Sequence, residues 1–466
     1  MADFYTIEPR LGGSESEVIF GDSRKLQNDV LLVGNLGERG PEKTVWVDVS
    51  GEHVIAIVGK RGTGKSHTLG VLLESLCLAN ADAKISRITD KRGVLLFDTL
   101  DIFWTSKFEP AETGPERVVE QFKLLKEWGL DPERLAVDLW IPAGFKMEAD
   151  PADVKTFKID VSDLDAADFA SLLEVDLVQE VRGQLINEAY AKTAVEGWRR
   201  GGKKVAPNVD FTLADLIECV RYDDDIQADY QRESIRSVVQ RLQAYSRYEL
   251  MQGEGTPLER LVQPGRLTVL MLSRLSDDLR SVLAAVLIKK VMESRSRASF
   301  IAKRILTDPT LSRSQVRELE AKLANYVPRS WIAIDEAQNL IPSDRKTSAQ
   351  ETLVRLVKTG RNMGLSFIVT TQQPSAIDPR VMSQVDTLLS HQLTTRQDVD
   401  NVISNLKSAE PESITASNVD IGFPELLRGL GQGQAVVSTA NQTPEVARAF
   451  VVNVRPRVSV HGGFEQ

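Results

Sequence analysis

Near-continuous apolar runs recur along this chain at 53–58, Gly93–Asp98, 267–272, 331–334, 365–371, 387–389, 435–437 and 450–454. Short runs without polar alternation predict strands buried on both faces of a sheet. Helical spacing fills the gaps between them. Leu69, Leu72, Leu73 and Leu76 share one helix face after the first run, and 281–292 and 348–357 carry the same period. Buried strands alternating with helices predict an α/β fold, a mostly parallel sheet flanked by helices on both sides. That core is expected over 49–105 and 266–455.

Two regions read differently. Short apolar segments at 18–20, 30–33 and 45–47, broken by the turn-rich stretch 37–41, predict a small N-terminal β domain over 1–48. Residues 106–265 read as a mainly helical insertion. The stretch 162–175 has the helical period, and so do Ile235, Val238, Val239 and Leu242 in 235–245. Between them, the Gly- and Lys-rich stretch 199–204 is expected to be a loop. Residues 456–466 are expected to be a flexible tail.

Composition narrows the class. A chain of 466 residues, 42% hydrophobic and 26% charged, has the make-up of a globular protein with room for two or three domains. Its longest apolar runs, such as 282–288, are too short for a bilayer span, and the N-terminus lacks the regions of a signal peptide. A cytoplasmic protein without membrane contact is expected. Cys77 and Cys219 lie in apolar helical patterns and read as small core residues. His53, His67, His391 and His461 are scattered, without the spacing of a metal site. The net charge of −9 and pI near 5.3 argue against a surface that grips DNA throughout, and confine any such contact to a local patch or an inner channel.

The chemistry begins at Gly59, Lys60, Arg61, Gly62, Thr63, Gly64, Lys65 and Ser66, which match G-x-x-x-x-G-K-[ST] between an apolar strand and a helix. The glycines let successive N–H groups turn into one concavity that binds phosphate oxygens. Lys65 suits the β- and γ-phosphates, and the Ser66 hydroxyl is a ligand for Mg²⁺. The following helix offers its N-terminal turn, through His67, to the same anion. The motif predicts a P-loop NTPase core of the RecA-like kind that binds ATP with Mg²⁺.

Asp335 and Glu336 end the apolar run 331–334. Asp335 suits the metal, directly or through water, and Glu336 is the candidate general base for the attacking water. The run 365–371 ends at Gln372, a candidate sensor of the γ-phosphate. Arg361 lies just past the helix that separates these two strands. It is a candidate to stabilise transition-state charge, from its own subunit or from a neighbour. A solvated arginine complementing a helix end is the plainer alternative.

These residues carry a family resemblance. The string Asp335, Glu336, Ala337, Gln338, Asn339, Leu340 resembles the HerA/FtsK-type ATPases. So do the turn Thr359, Gly360, Arg361 and the segment Thr370, Thr371, Gln372, Gln373, Pro374, Ser375 followed by Ile377, Asp378, Pro379 and by Ser383 and Gln384. The HerA branch fits best. Its members are similar also at Val45 to Val49, at Thr68, Leu69 and Gly70, at Leu95 to Asp98, at Gly429 to Val437, and at His461, Gly462 and Gly463. The resemblance spans about 45–105 and 266–463, and covers 106–265 only as a helical insertion in the expected place.

What it implies is a homo-hexameric ring with ATP at the subunit interfaces, driving double-stranded DNA through a central pore beside a partner nuclease. By motif, Lys65 and Ser66 would hold phosphate and Mg²⁺, Asp335 and Glu336 would serve metal and water, Gln372 would be the sensor and Arg361 an arginine acting on the γ-phosphate. A second implied class is an assembly platform that docks and controls an effector, a nuclease or an NADase, in anti-phage defence. Two departures stand out. The region before the phosphate loop is shorter than the family's β-barrel, and Glu52 and His53 stand where members often carry a basic residue. Arg380 and Arg396 are possible substitutes for that residue. Lys289, Lys290, Arg295, Arg297, Lys303 and Arg304 form a basic stretch that would either track DNA phosphates or be a solvated helix end.

Overall fold

The computed structural model describes residues 5–12, 16–21, 29–78, 84–440 and 447–463. Among them, thirteen strands form one sheet. Eight of these run parallel and side by side: Thr387–Ser390, Val54–Val58, Leu365–Thr371, Ser330–Ile334, Gly93–Asp98, Leu267–Met271, Val137–Pro142 and Lys155–Phe157. Beyond Thr387–Ser390 the sheet turns antiparallel through Gln434–Thr439, Phe450–Val454 and Val30–Leu36, and ends in Thr44–Asp48 and Glu17–Phe20. Five central strands are buried at every position, which is why their sequences are apolar without alternation. Helices such as Lys65–Cys77, Asp277–Thr307 and Ser348–Thr359 cover the sheet with buried faces.

The structure departs from the expected reading of the chain in four places. Residues 1–48 do not form a separate β domain among the described residues: Val30–Leu36 pairs with Phe450–Val454, with Gly34 opposite Val454, and so continues the core sheet. Its Val30, Leu31, Leu32 and Val33 are all buried, as suits an interior strand. The insertion is not wholly helical at its start, since Val137–Pro142 and Lys155–Phe157 extend the far edge of the sheet. The stretch 199–204 is part of a two-stranded hairpin, Trp198–Arg200 with Lys203–Val205.

The fourth change is the tail. Residues 456–463, expected to be flexible, run beneath the phosphate-loop helix, while 464–466 lie outside the described residues. Glu74 of that helix is fully buried and accepts from Arg455 and Arg457 at 3.0 Å each, from the N–H groups of Val458 and Ser459, and from the Ser459 hydroxyl. Burial alone would raise its pKa, but Arg457 and Arg455 hold it below the usual carboxylate range. Gly70, one turn earlier, has room for no side chain: a Cβ there would meet the Arg457 guanidinium at 2.6 Å.

Cys219 is buried and Cys77 partly so, both as free thiols, and burial raises the Cys77 thiol to about 12. Among the described residues no helix is long and apolar enough to cross a membrane.

Candidate active site

Val54–Val58 delivers the phosphate loop at the carboxyl edge of the parallel block. Gly59 has φ +155°, and a Cβ on it would lie 2.6 Å from the His391 Cβ and 2.9 Å from the Thr63 hydroxyl, so only glycine fits. Gly62 and Gly64 also take positive φ, and Gly64 starts the helix Lys65–Cys77 without any side-chain cap. The first-turn N–H groups of that helix are therefore left for an anion. The loop is braced from within, since the Thr63 hydroxyl and the Lys65 ammonium both donate to the Lys60 carbonyl, at 2.8 and 3.0 Å. Burial lowers the Lys65 pKa, and the carboxylates of Glu336 and Asp335 act in the other direction.

The strand Leu365–Thr371 lies between the phosphate-loop strand and the carboxylate strand Ser330–Ile334. All three end at the same edge, so the loop, Asp335, Glu336 and Gln372 come together there. Asp335 is fully buried, 3.4 Å from the Ser66 hydroxyl and 2.5 Å from the Thr370 hydroxyl. Burial pushes its carboxyl up to about 6, with Glu336 adding repulsion and Thr370 and Lys65 opposing. Glu336 sits in the left-handed region at φ +55°, its N–H donating to Thr370. Its two carboxylate oxygens accept from Gln372 at 2.7 Å and from Gln338 at 2.6 Å. One carboxylate thus faces the Ser66 hydroxyl, and the other is held by two amides.

This donor set fits a divalent ion. Hydroxyl and carboxylate oxygens suit Mg²⁺, which takes one or two protein carboxylates plus substrate phosphates. Among the described residues no group of three His, Cys, Asp or Glu side chains could hold a metal unaided. Ser66 and Asp335 would hold the ion with oxygens from the nucleotide.

Arg361 is not part of this cluster. It lies ahead of Leu365–Thr371, whose first turn of pairing sets Phe367 opposite Val54 and whose last sets Thr371 opposite Val58. A seven-residue strand separates it from the phosphate loop, on the order of 20 Å. Action on its own subunit's nucleotide, one of the two expectations, is excluded by that distance. The residue is exposed, and among the described residues its guanidinium has no partner.

The substitutes fare no better. Arg380 is engaged by Asp378 and Glu351, at 2.7 and 2.8 Å, and Arg396 is 89% exposed beside Asp400. At the departure site, Glu52 binds Arg329 at 2.6 Å and His53 lies 3.2 Å from Asp386. Four of the six cations in the basic stretch on Asp277–Thr307 are held by partners within the molecule. Lys289 pairs with Asp165, Lys290 with Asp163 and Arg304 with Asp308, while Arg295 donates to the carbonyls of Met363 and Val327. Arg297 and Lys303 remain exposed.

Sequence reasoning missed several supports. Thr370 and Gln338 lie in the segments 370–375 and 335–340, yet only the fold shows that they hold the two carboxylates. Asp98, raised to about 8 by burial, accepts from the N–H groups of Leu100 and Phe103 and so shapes the turn beside the site. The neighbouring Thr99 hydroxyl donates to the Asp335 carbonyl. His391, whose ring joins Thr68 and the Gln434 carbonyl, braces the phosphate loop from behind. His67 turns its ring to the Arg455 carbonyl, so only its backbone faces the loop side.

Residues 33–291, more than half of the chain, match the family model described as the central domain of helicase HerA. The chain belongs to the HerA helicase central-domain family. Among its relatives, the DNA double-strand break repair helicase HerA of Pyrococcus furiosus is 22% identical over 338 residues, covering 69% of this chain and 59% of that protein. The HerA of Sulfurisphaera tokodaii is 21% identical over 285 residues, covering 60% and 51%. The chain thus spans little more than half the length of these HerA relatives.

Of solved structures, VirB4 of Thermoanaerobacter pseudethanolicus superposes with a TM-score of 0.50 at 14% identity, over 91% of this chain and 96% of that one. The bacterial conjugative coupling protein TrwBdeltaN70 reaches 0.50 at 13% identity, over 98% and 99%. These likenesses are of fold: a P-loop ATPase core on a mixed, mostly parallel sheet.

Proposed function

We propose that this chain hydrolyses ATP as one subunit of a homo-hexameric ring that moves along or unwinds double-stranded DNA, beside a partner nuclease or other effector. One observation carries the reading. Phosphate loop, acid pair and Gln372 meet at one edge of the sheet, and the unpaired Arg361 stands at the other. A site complete in all but its arginine, with an arginine exposed on the opposite edge, is what subunits stacked head-to-tail in a closed ring require.

In this reading Lys65 and the loop N–H groups bind the β- and γ-phosphates. Glu336, oriented by Gln372 and Gln338, accepts the proton of the attacking water. Mg²⁺, when bound between Ser66 and Asp335, would offset charge on the phosphate oxygens. Arg361 of the adjacent subunit stabilises the charge that develops as the terminal phosphate leaves. The HerA relatives' description as DNA double-strand break repair helicases supports duplex DNA as the track.

ATP turnover by the full chain, with and without long duplex DNA, tests the reading. Stimulation by duplex is expected, with Lys65→Ala losing turnover altogether. Turnover indifferent to duplex, in a protein that binds an effector stoichiometrically, would instead support the platform class.

A further inference from the structure

The hairpin Trp198–Arg200 with Lys203–Val205 carries four cations, Arg199, Arg200, Lys203 and Lys204, in a chain whose net charge is −9. Its conformation is fixed. Gly201 and Gly202 both take positive φ, as a two-residue turn matching the strand twist demands. Asp224 accepts from both of their N–H groups, at 2.8 and 2.7 Å, and the buried Asp223 accepts from the Arg199 N–H while bound to Lys192. Trp198 is buried at the base, and Gly197 lies so close to the Val205 carbonyl that a Cβ would be 2.6 Å from it. The carboxylates beneath the hairpin are therefore spent on its backbone and on Lys192.

The side chains are left unbalanced. Register sets Lys204 directly opposite Arg199 and Lys203 opposite Arg200. Like charges directly opposed across a strand pair destabilise it. Arg200 has some relief from Tyr222, 4.2 Å beneath its guanidinium, and from Glu218 at 3.9 Å. Among the described residues Arg199, Lys203 and Lys204 have no acidic partner, and all three are exposed. A rigid two-stranded ribbon with this charge fits a polyanion. It bears Arg and Lys with no Asn, Gln or aromatic side chain at its tip, which suits phosphates rather than bases.

We propose that the hairpin 198–205 is a sequence-independent contact for the phosphates of double-stranded DNA, separate from the nucleotide site. The proposal rests on the reading of DNA as the track. The test is binding of a fluorescein-labelled duplex of random sequence to the full chain, with Mg²⁺ and a non-hydrolysable ATP analogue, over a range of salt. Arg199→Ala/Lys204→Ala should bind about tenfold or more weakly near physiological salt, and its plot of log affinity against log salt should be shallower by about 2. Arg199→Lys/Lys204→Arg should retain the wild-type affinity, and ATP turnover without DNA should be unchanged in both.

Equal affinity and slope in wild type and the alanine variant would overturn the hairpin contact and leave the DNA reading intact. A wild type that ignores duplex would overturn both. Displacement of DNA by polyglutamate at equal charge concentration would mark the hairpin as a site for an acidic protein, and would overturn the proposal too.

Discussion

Glu336→Gln should bind ATP as tightly as the wild type and hydrolyse it at least about a hundredfold more slowly, the lower end of what a positioned general base contributes. The substitution keeps the shape of the side chain. An amide can still face Gln372 and Gln338, so the turn at φ +55° is kept, while the acceptor for the water's proton is gone. Binding is spared because the phosphate loop and Lys65 belong to a different strand end. Equilibrium binding of a fluorescent ATP analogue, followed by single-turnover hydrolysis, checks both halves. Turnover near the wild-type rate would remove Glu336 as the base, and loss of binding would make it part of the nucleotide cradle.

The second large effect is on stability. Glu74→Gln leaves the guanidiniums of Arg455 and Arg457 buried without a counter-charge, and removing one partner of a buried ion pair costs about 3–5 kcal/mol. Chemical denaturation should show a clearly lower midpoint. The effect has a direction in pH. The folded pKa of Glu74 lies below its ordinary value of 4.5, so its contribution is fully present above that pH and is lost as pH falls through the folded value. The gap between wild type and variant should narrow on acidification in that window. An unchanged midpoint at neutral pH would mean that the segment 455–463 contributes nothing to holding the phosphate-loop helix.

Local chemistry made part of this molecule legible from its residues. A phosphate loop must keep its glycines, lysine and hydroxyl at fixed spacing, and a strand that presents a carboxylate pair must end on it. Lys65, Ser66, Asp335, Glu336 and Gln372 were therefore readable, and the fold brings them together. Relations set by topology were not. Arg361 reads as close to Gln372 in sequence, but a strand's length divides them, because the chain enters that strand at one edge and leaves at the other. Glu74 and its arginines are separated by more than 380 residues and share no periodicity. Val137–Pro142 carries the charged Asp138 and ends in a proline, so it lacks the unbroken apolar run that marked the other strands. Lys289 and Lys290 look like free cations until Asp165 and Asp163 fold against them.

Arg361→Ala and Glu336→Gln, mixed, give the most direct measure of the shared site. Each variant alone should bind ATP and fail to turn it over. Mixed before assembly, an Arg361→Ala subunit supplies an intact Glu336 and a Glu336→Gln neighbour supplies an intact Arg361, so turnover should reappear at those interfaces. Mixed rings that stay silent while both variants bind nucleotide, or an Arg361→Ala protein that hydrolyses ATP normally alone, would contradict a site built from two copies of this chain.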